Sequence, residues 1–291
     1  MDSTFLLQLL INGLAIGVIY ALIATGLSLI FGVLEIVNFA HGEFYMLGAF
    51  LAYFCATQLG FNYWLTIVFV VATSLAVGYV LYKALLSSIR DVNFEKSMLL
   101  TLGLSMVLQN AALFFFTSSP RLMRTEYTYQ SLTIGGARIS LLRLLALVLG
   151  VLAFGLLYGV LHHSRIGKAM RAVAQNRDAA LMVGIDPRAV SGIAVAIGIG
   201  LCGLAGAALA PVYSVHPLMG FSYIFKAFAL VIIGGLGNVA GAAIAAVALG
   251  VMESFVGGFF SQVLVDALAF LAMIAVLLVR PQGLFGAGVR I

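Results

Sequence analysis

The sequence predicts an all-α, polytopic membrane protein of about eight transmembrane helices, some of them discontinuous, with inverted-repeat character. Three observations carry that expectation. The chain is 63% hydrophobic and only 9% charged, with a mean hydropathy of +1.16. A soluble domain carries roughly 25% charged residues, so lipid must cover much of this surface. Several apolar stretches reach the ~20 residues that one bilayer crossing takes, and none alternates with the period of two that a membrane β-barrel needs.

The chain begins MDSTFLLQLLINGL, without the basic leader region of a cleavable signal, so the first apolar run is expected to remain as a helix. Spans are predicted at 5–31, 64–82, 97–116, 141–163, 189–212 and 262–279. Two further apolar regions, 33–57 and 223–257, are broken by Gly and Asn, and the first also by His and Glu. Together these form one transmembrane domain over 1–291, with halves at about 1–140 and 141–291.

Charge sets the predicted topology, because basic residues concentrate on the cytoplasmic side. Lys83, Arg90 and Lys96 mark one inner loop, an island at 165–188 marks another, and Arg280 with Arg290 marks an inner carboxyl terminus. Arg121, Arg124, Arg138, Arg143 and Lys226 fall outside. The amino terminus is then outside and the carboxyl terminus cytoplasmic. Region 33–57 must cross once, whereas 223–257 must cross twice or dip and return. The net charge of +5 follows from the same bias and is weak evidence for nucleic acid.

Small residues four apart, as in Gly13 with Gly17, Gly155 with Gly159, and Gly237 with Gly241, suit close helix contact in lipid. Gly198, Gly200 and Gly203 match a dinucleotide fingerprint, but no strand precedes them and no carboxylate lies from Ala189 to Met252, so the match is read as accidental. Cys55 and Cys202 lie in apolar surroundings and are assigned to packing. An inverted pair is suggested by Gly32-Val-Leu34 then Asn38-Phe-Ala40-His-Gly42, against Gly234-Gly-Leu236 then Asn238-Val-Ala240-Gly241. Interrupted segments at matching places in oppositely oriented halves point to a transport site near the midplane.

The island reads RIGKAMRAVAQNRDAALMVGIDPR and holds five of the fifteen Lys and Arg residues. A helix is expected from Lys168 to Val183, stopped by Gly184, with Pro187 beyond. Lys168, Arg171, Gln175 and Asp178 would form a polar stripe, and Met170, Val173, Ala174 and Leu181 an apolar one. Two uses remain open: resting at lipid headgroups, or docking in a protein groove, which the small, Ala-rich apolar face fits better.

Asp178-Ala179-Ala180, three residues, then Gly184 resembles the cytoplasmic coupling motif of ABC importer permeases, with Asp in place of the usual Glu. More specifically, the chain resembles the permease subunit of branched-chain (hydrophobic) amino-acid ABC importers. The resemblance rests on NGLAIGVIYALIATGLSLIFGV at 12–33, VNFAHGEFYMLGAF at 37–50, the island, VIIGGLGNVAGAAIAAV at 231–247 and RPQGLFG at 280–286. It implies a pore-forming subunit in the bacterial inner membrane, paired with a second related permease, two cytoplasmic ATPase subunits and a periplasmic substrate-binding protein. It further implies that Arg171, Gln175, Asp178, Ala179, Ala180 and Gly184 form the coupling contact with one ATPase.

No nucleotide site is expected in the chain itself. A Walker A loop needs Gly-x-x-x-x-Gly-Lys-Ser/Thr, but Gly167-Lys168 is followed by Ala169 and preceded, five positions earlier, by His162. ATP and Mg would belong to the partner subunits, and the chain is expected to be a transport subunit with no catalytic residues, cofactor or metal of its own. An intramembrane enzyme is disfavoured, since only His41, His162, His163 and His216 exist and they do not converge in sequence.

Candidate path residues are Asn38, His41, Gly42, Glu43 and Asn238. Polar groups at membrane depth are costly and usually face a cavity or one another. Two readings of this cluster stay open: it lines the substrate route, or it lies hydrated near the inner surface or ties helices together by hydrogen bonds. Glu253 and Asp266 are expected at the lipid interface. The outer loop at 120–140, with Arg121, Arg124, Glu126, Tyr127 and Tyr129, suits either a soluble partner or an aromatic belt. The expected cargo is a branched-chain or other hydrophobic amino acid; urea or short amides, or passive channel flow, are the alternatives.

Overall fold

In the computed structural model, which describes residues 3–88 and 94–286, helices built from long apolar runs are stacked around the first of them. Helix α1 (Ser3–Leu34) is followed by α2 (His41–Thr57), α3 (Tyr63–Ala84), α4 (Phe94–Phe116) and α5 (Leu141–His163). The island forms α6 (Arg165–Gln175) and α7 (Arg177–Met182). The remainder is α8 (Pro187–Leu209), α9 (Met219–Gly234), α10 (Val239–Phe259) and α11 (Gln262–Val279). Six of these helices are long and apolar enough to cross a membrane, so the chain is a multi-pass helical membrane protein. Arg90 and Arg290, used above to fix topology, lie outside the described residues.

Helix α1 is central and buried over most of its length. Its glycines let α10 approach to backbone contact: a Cβ on Gly250 would fall 2.3 Å from the Gly17 Cα, and one on Gly13 2.7 Å from the Val251 Cα. Close approach of this kind holds helices where lipid gives no hydrophobic driving force. Gly198 on α8 meets Gly26 on α1 in the same way, which accounts for the false fingerprint. Gly155 and Gly159, by contrast, face open space.

The contacts define two ends of the bundle. Leu34, Tyr82, α7 and the start of α8 share one end, and Gly237 beside Gly32, with Leu284 donating to the Ile233 carbonyl, brings the turn between α9 and α10 and the carboxyl segment to that end too. Leu9, Arg143, His216 and Val265 share the opposite end. Helices α9 and α10 therefore both run from end to end, and region 223–257 passes twice. Among the described residues, α1, α3, α4, α5, α8 and α10 are the six long apolar helices, α9 and α11 are shorter apolar ones, and α2 starts inside the bundle.

Three local differences from the sequence expectation have physical causes. The helix expected over 168–183 is broken at Asn176, whose extended backbone and side-chain oxygen, accepting from the Ala179 amide at 2.9 Å, start a new helix. A two-stranded hairpin, β1 (Ser131–Ile134) and β2 (Ala137–Ser140), interrupts an otherwise all-α fold. Its turn is Gly135-Gly136, both at positive φ, the pair a tight hairpin turn favours. Finally, α1 and α9 run in the same direction, each packing against antiparallel α10. The breaks after them therefore enter from one end, and these two segments are not inverted copies.

Candidate functional site

At the end bearing the basic island, α6 is held down and α7 stands clear. Ser164 caps α6, accepting from the Gly167 amide at 2.9 Å. Gly167 sits so close to the end of α5 that a Cβ would fall 2.2 Å from the Val160 carbonyl oxygen. Arg171, half-buried, donates to the Leu161 carbonyl and closes the end of α5. Met170 and Val173 are buried beneath it.

On α7 the exposed surface is Arg177, Asp178 and Ala179, continuing into Leu181, Met182 and Val183, which are 61%, 89% and 74% exposed. Ala180 is buried, so its smallness serves contact within the chain. Gly184, at φ +83°, ends the helix: its amide donates to the Leu181 carbonyl and that of Ile185 to the Ala180 carbonyl, a complete Schellman stop. Gln175 is exposed at the end of α6.

The interrupted stretch 35–40 enters the bundle and starts α2 against the middle of α8, where Cys202 donates to the His41 carbonyl. Asn38, His41 and Glu43 are fully buried. The His41 Nε2 pairs with the Ile23 carbonyl of α1 at 3.1 Å, and Glu43 accepts from the Ser105 hydroxyl of α4 at 3.0 Å. Asn38 accepts from the Ala40 amide at 3.1 Å. The second polar atom of each side chain has no hydrogen-bond partner, at a cost of about 1–3 kcal/mol per group. Gly42 lies against α9, where a Cβ would fall 2.3 Å from the Gly220 carbonyl oxygen.

Asn238 does not join this cluster. It caps α10, accepting from the Gly241 amide at 2.9 Å, and its amide nitrogen donates to the Phe285 carbonyl at 3.1 Å. It is a fully used structural tie at the island end of the bundle.

The structure instead assembles a polar centre that sequence reasoning missed. Lys226, two turns into α9, pairs with Glu253 of α10 at 2.9 Å. The Tyr20 hydroxyl donates to the other Glu253 oxygen at 2.8 Å and accepts from Lys226 at 3.3 Å. Glu253 is thus buried rather than interfacial, at 5% exposure; the side chain of Asp266 lies outside the described residues. This centre sits at the floor of a cavity of about 570 Å³ that opens at the end away from the island, with Asn12, Arg143, Tyr213 and His216 higher in its walls. The only sequence signal was a charge inside an apolar run; the partners come from three helices.

Comparison with known proteins agrees with this architecture. A family model described as the branched-chain amino acid transport system permease component matches residues 9–277. The high-affinity branched-chain amino acid transport system permease protein BraD of Pseudomonas aeruginosa is 32% identical, over 96% of this chain and 95% of that one. The permease protein LivH of the corresponding system in Escherichia coli is 29% identical, over 97% and 96%. A probable branched-chain amino acid transport permease of Methanocaldococcus jannaschii is 26% identical, over 91% and 88%. No solved structure matches the chain. The chain belongs to the branched-chain amino acid transport permease family.

Proposed function

We propose that this chain is the pore-forming permease subunit of an ATP-driven importer of branched-chain or other hydrophobic amino acids. In this reading it pairs with a second, related permease, is driven by two cytoplasmic ATPase subunits that bind ATP and Mg, and receives cargo from an extracytoplasmic binding protein. In this reading the island end faces the cytoplasm, an orientation its basic residues favour, and the amino terminus faces outward in a bacterial inner membrane. The cavity above Lys226 and Glu253 is the outward mouth.

The observation that carries the reading is the uncovered tip of α7. Three exposed apolar residues beside an exposed carboxylate, on a rigidly stopped short helix, suit insertion into a protein groove. They are too few to anchor in lipid. Differential docking of the ATPases on the two states of the permease would shift it between outward- and inward-open forms. Moving such an equilibrium from 1:99 to 99:1 takes about 5.5 kcal/mol. A passive channel has no use for this tip.

The test is the double variant Leu181→Asp/Met182→Asp. It should insert at wild-type levels, lose co-purification with the ATPases, and lower ATP-dependent uptake more than tenfold. Normal uptake by that variant would refute the docking role.

A further inference from the structure

The Lys226–Glu253–Tyr20 centre is not needed for α7 to act, and its chemistry suggests a use of its own. We propose that it is a zwitterion relay: a transient binding site in which the α-carboxylate of a passing amino acid takes Lys226 and its ammonium takes Glu253. This rests on the importer reading and names the substrate class within it.

Four observations support the relay. First, the two charges are opposite, adjacent and turned toward the cavity floor, Lys226 being 15% exposed and Glu253 4%. Opening their contact around a zwitterion leaves each buried charge paired, so no uncompensated charge is created during passage. Second, Tyr20 donates to the Glu253 oxygen that Lys226 does not use. It can hold the carboxylate in place while the ion pair opens. Third, Ile16, Met219 and Val265 line the same cavity and give an aliphatic side chain an apolar wall. Fourth, the cavity falls within the 300–1,000 Å³ range of small-molecule sites.

An uncharged urea or amide would have to separate the pair while offering no charge in return. The centre therefore favours zwitterionic amino acids over the neutral alternatives.

The experiment uses the complete importer with its binding protein in proteoliposomes, and measures ATP-dependent uptake of radiolabelled L-leucine. Lys226→Met/Glu253→Met removes both charges, so neither is left buried alone; it should co-purify with the ATPases while uptake falls more than tenfold. Lys226→Glu/Glu253→Lys exchanges the charges and keeps a salt bridge between α9 and α10. Swapping the two charged ends against an unmoved apolar wall is the arrangement that fits the opposite enantiomer, so L-leucine uptake should stay more than tenfold down. Uptake within twofold of wild type in either variant would assign the pair to helix packing and overturn the relay. Absence of L-leucine uptake by the wild-type complex would overturn the importer reading and the relay with it.

Discussion

The two interruptions of the bundle carry the same residue signature and differ in almost everything else. Both place an Asn two residues before an Ala, after a Gly-rich helix end. At 235–238 the turn is complete, with both polar ends of Asn238 engaged and Gly237 at φ +79° against Gly32. At 35–40 the chain turns at Glu35, whose φ is 56°, and runs without helix into the bundle, and Asn38, His41 and Glu43 are buried with one polar atom each unsatisfied. The contrast comes from depth. A break at the end of a bundle can be finished by nearby backbone; a break inside must leave groups waiting, which structures tolerate chiefly at functional or strained sites.

Four variants test the contrast. The largest effect is expected from Gly42→Val, because the new side chain would force α2 away from α9. Overpacking of this severity should cost about 3 kcal/mol or more, seen as loss of monodisperse protein in detergent; a normal melting profile would show the inner break to be pliable. Next is His41→Ala, which should lower the rate of amino-acid uptake about tenfold while leaving ATPase association intact. Unchanged uptake would make the inner cluster merely structural.

Asn238→Ala should act on stability alone. Losing a helix cap costs about 1 kcal/mol, measurable as a lower melting temperature, with uptake within twofold of wild type. A large uptake defect there would erase the distinction between the breaks. Leu236→Ser, at a half-exposed position in the break at the bundle end, should stay within about 0.5 kcal/mol of wild type.

Much of the architecture was legible because apolar run length is a strong signal in lipid. The span expected at 141–163 coincides with α5, and 262–279 with α11. The Gly184 stop was legible too, since it depends on local residue types, whereas the depth of the first break stayed open because Asn38, His41 and Glu43 suit a hydrated place near the inner surface as well. The split at Asn176 was readable in principle, Asn being a preferred cap, but the continuous polar stripe on either side concealed it. The hairpin hid in the same way: Gly135-Gly136 was a turn signal embedded in a loop judged only for charge and aromatics. The Lys226–Glu253–Tyr20 centre was not legible, because its members come from α9, α10 and α1 and only tertiary packing makes them neighbours. The same holds for Arg171 and Ala180, whose inward roles depend on how α6 and α7 rest on α5 and α8.

The position of α1 has a consequence for how the protein is made. Its flanks are closed by α5, α8 and α10, so α1, synthesised well before α10, waits for it before its glycine seam is filled. Until then the nascent span has a rough, small-residue face exposed to whatever accompanies it in the membrane. Assembly of this chain is therefore a race between the arrival of α10 and the capture of α1 by the wrong neighbour.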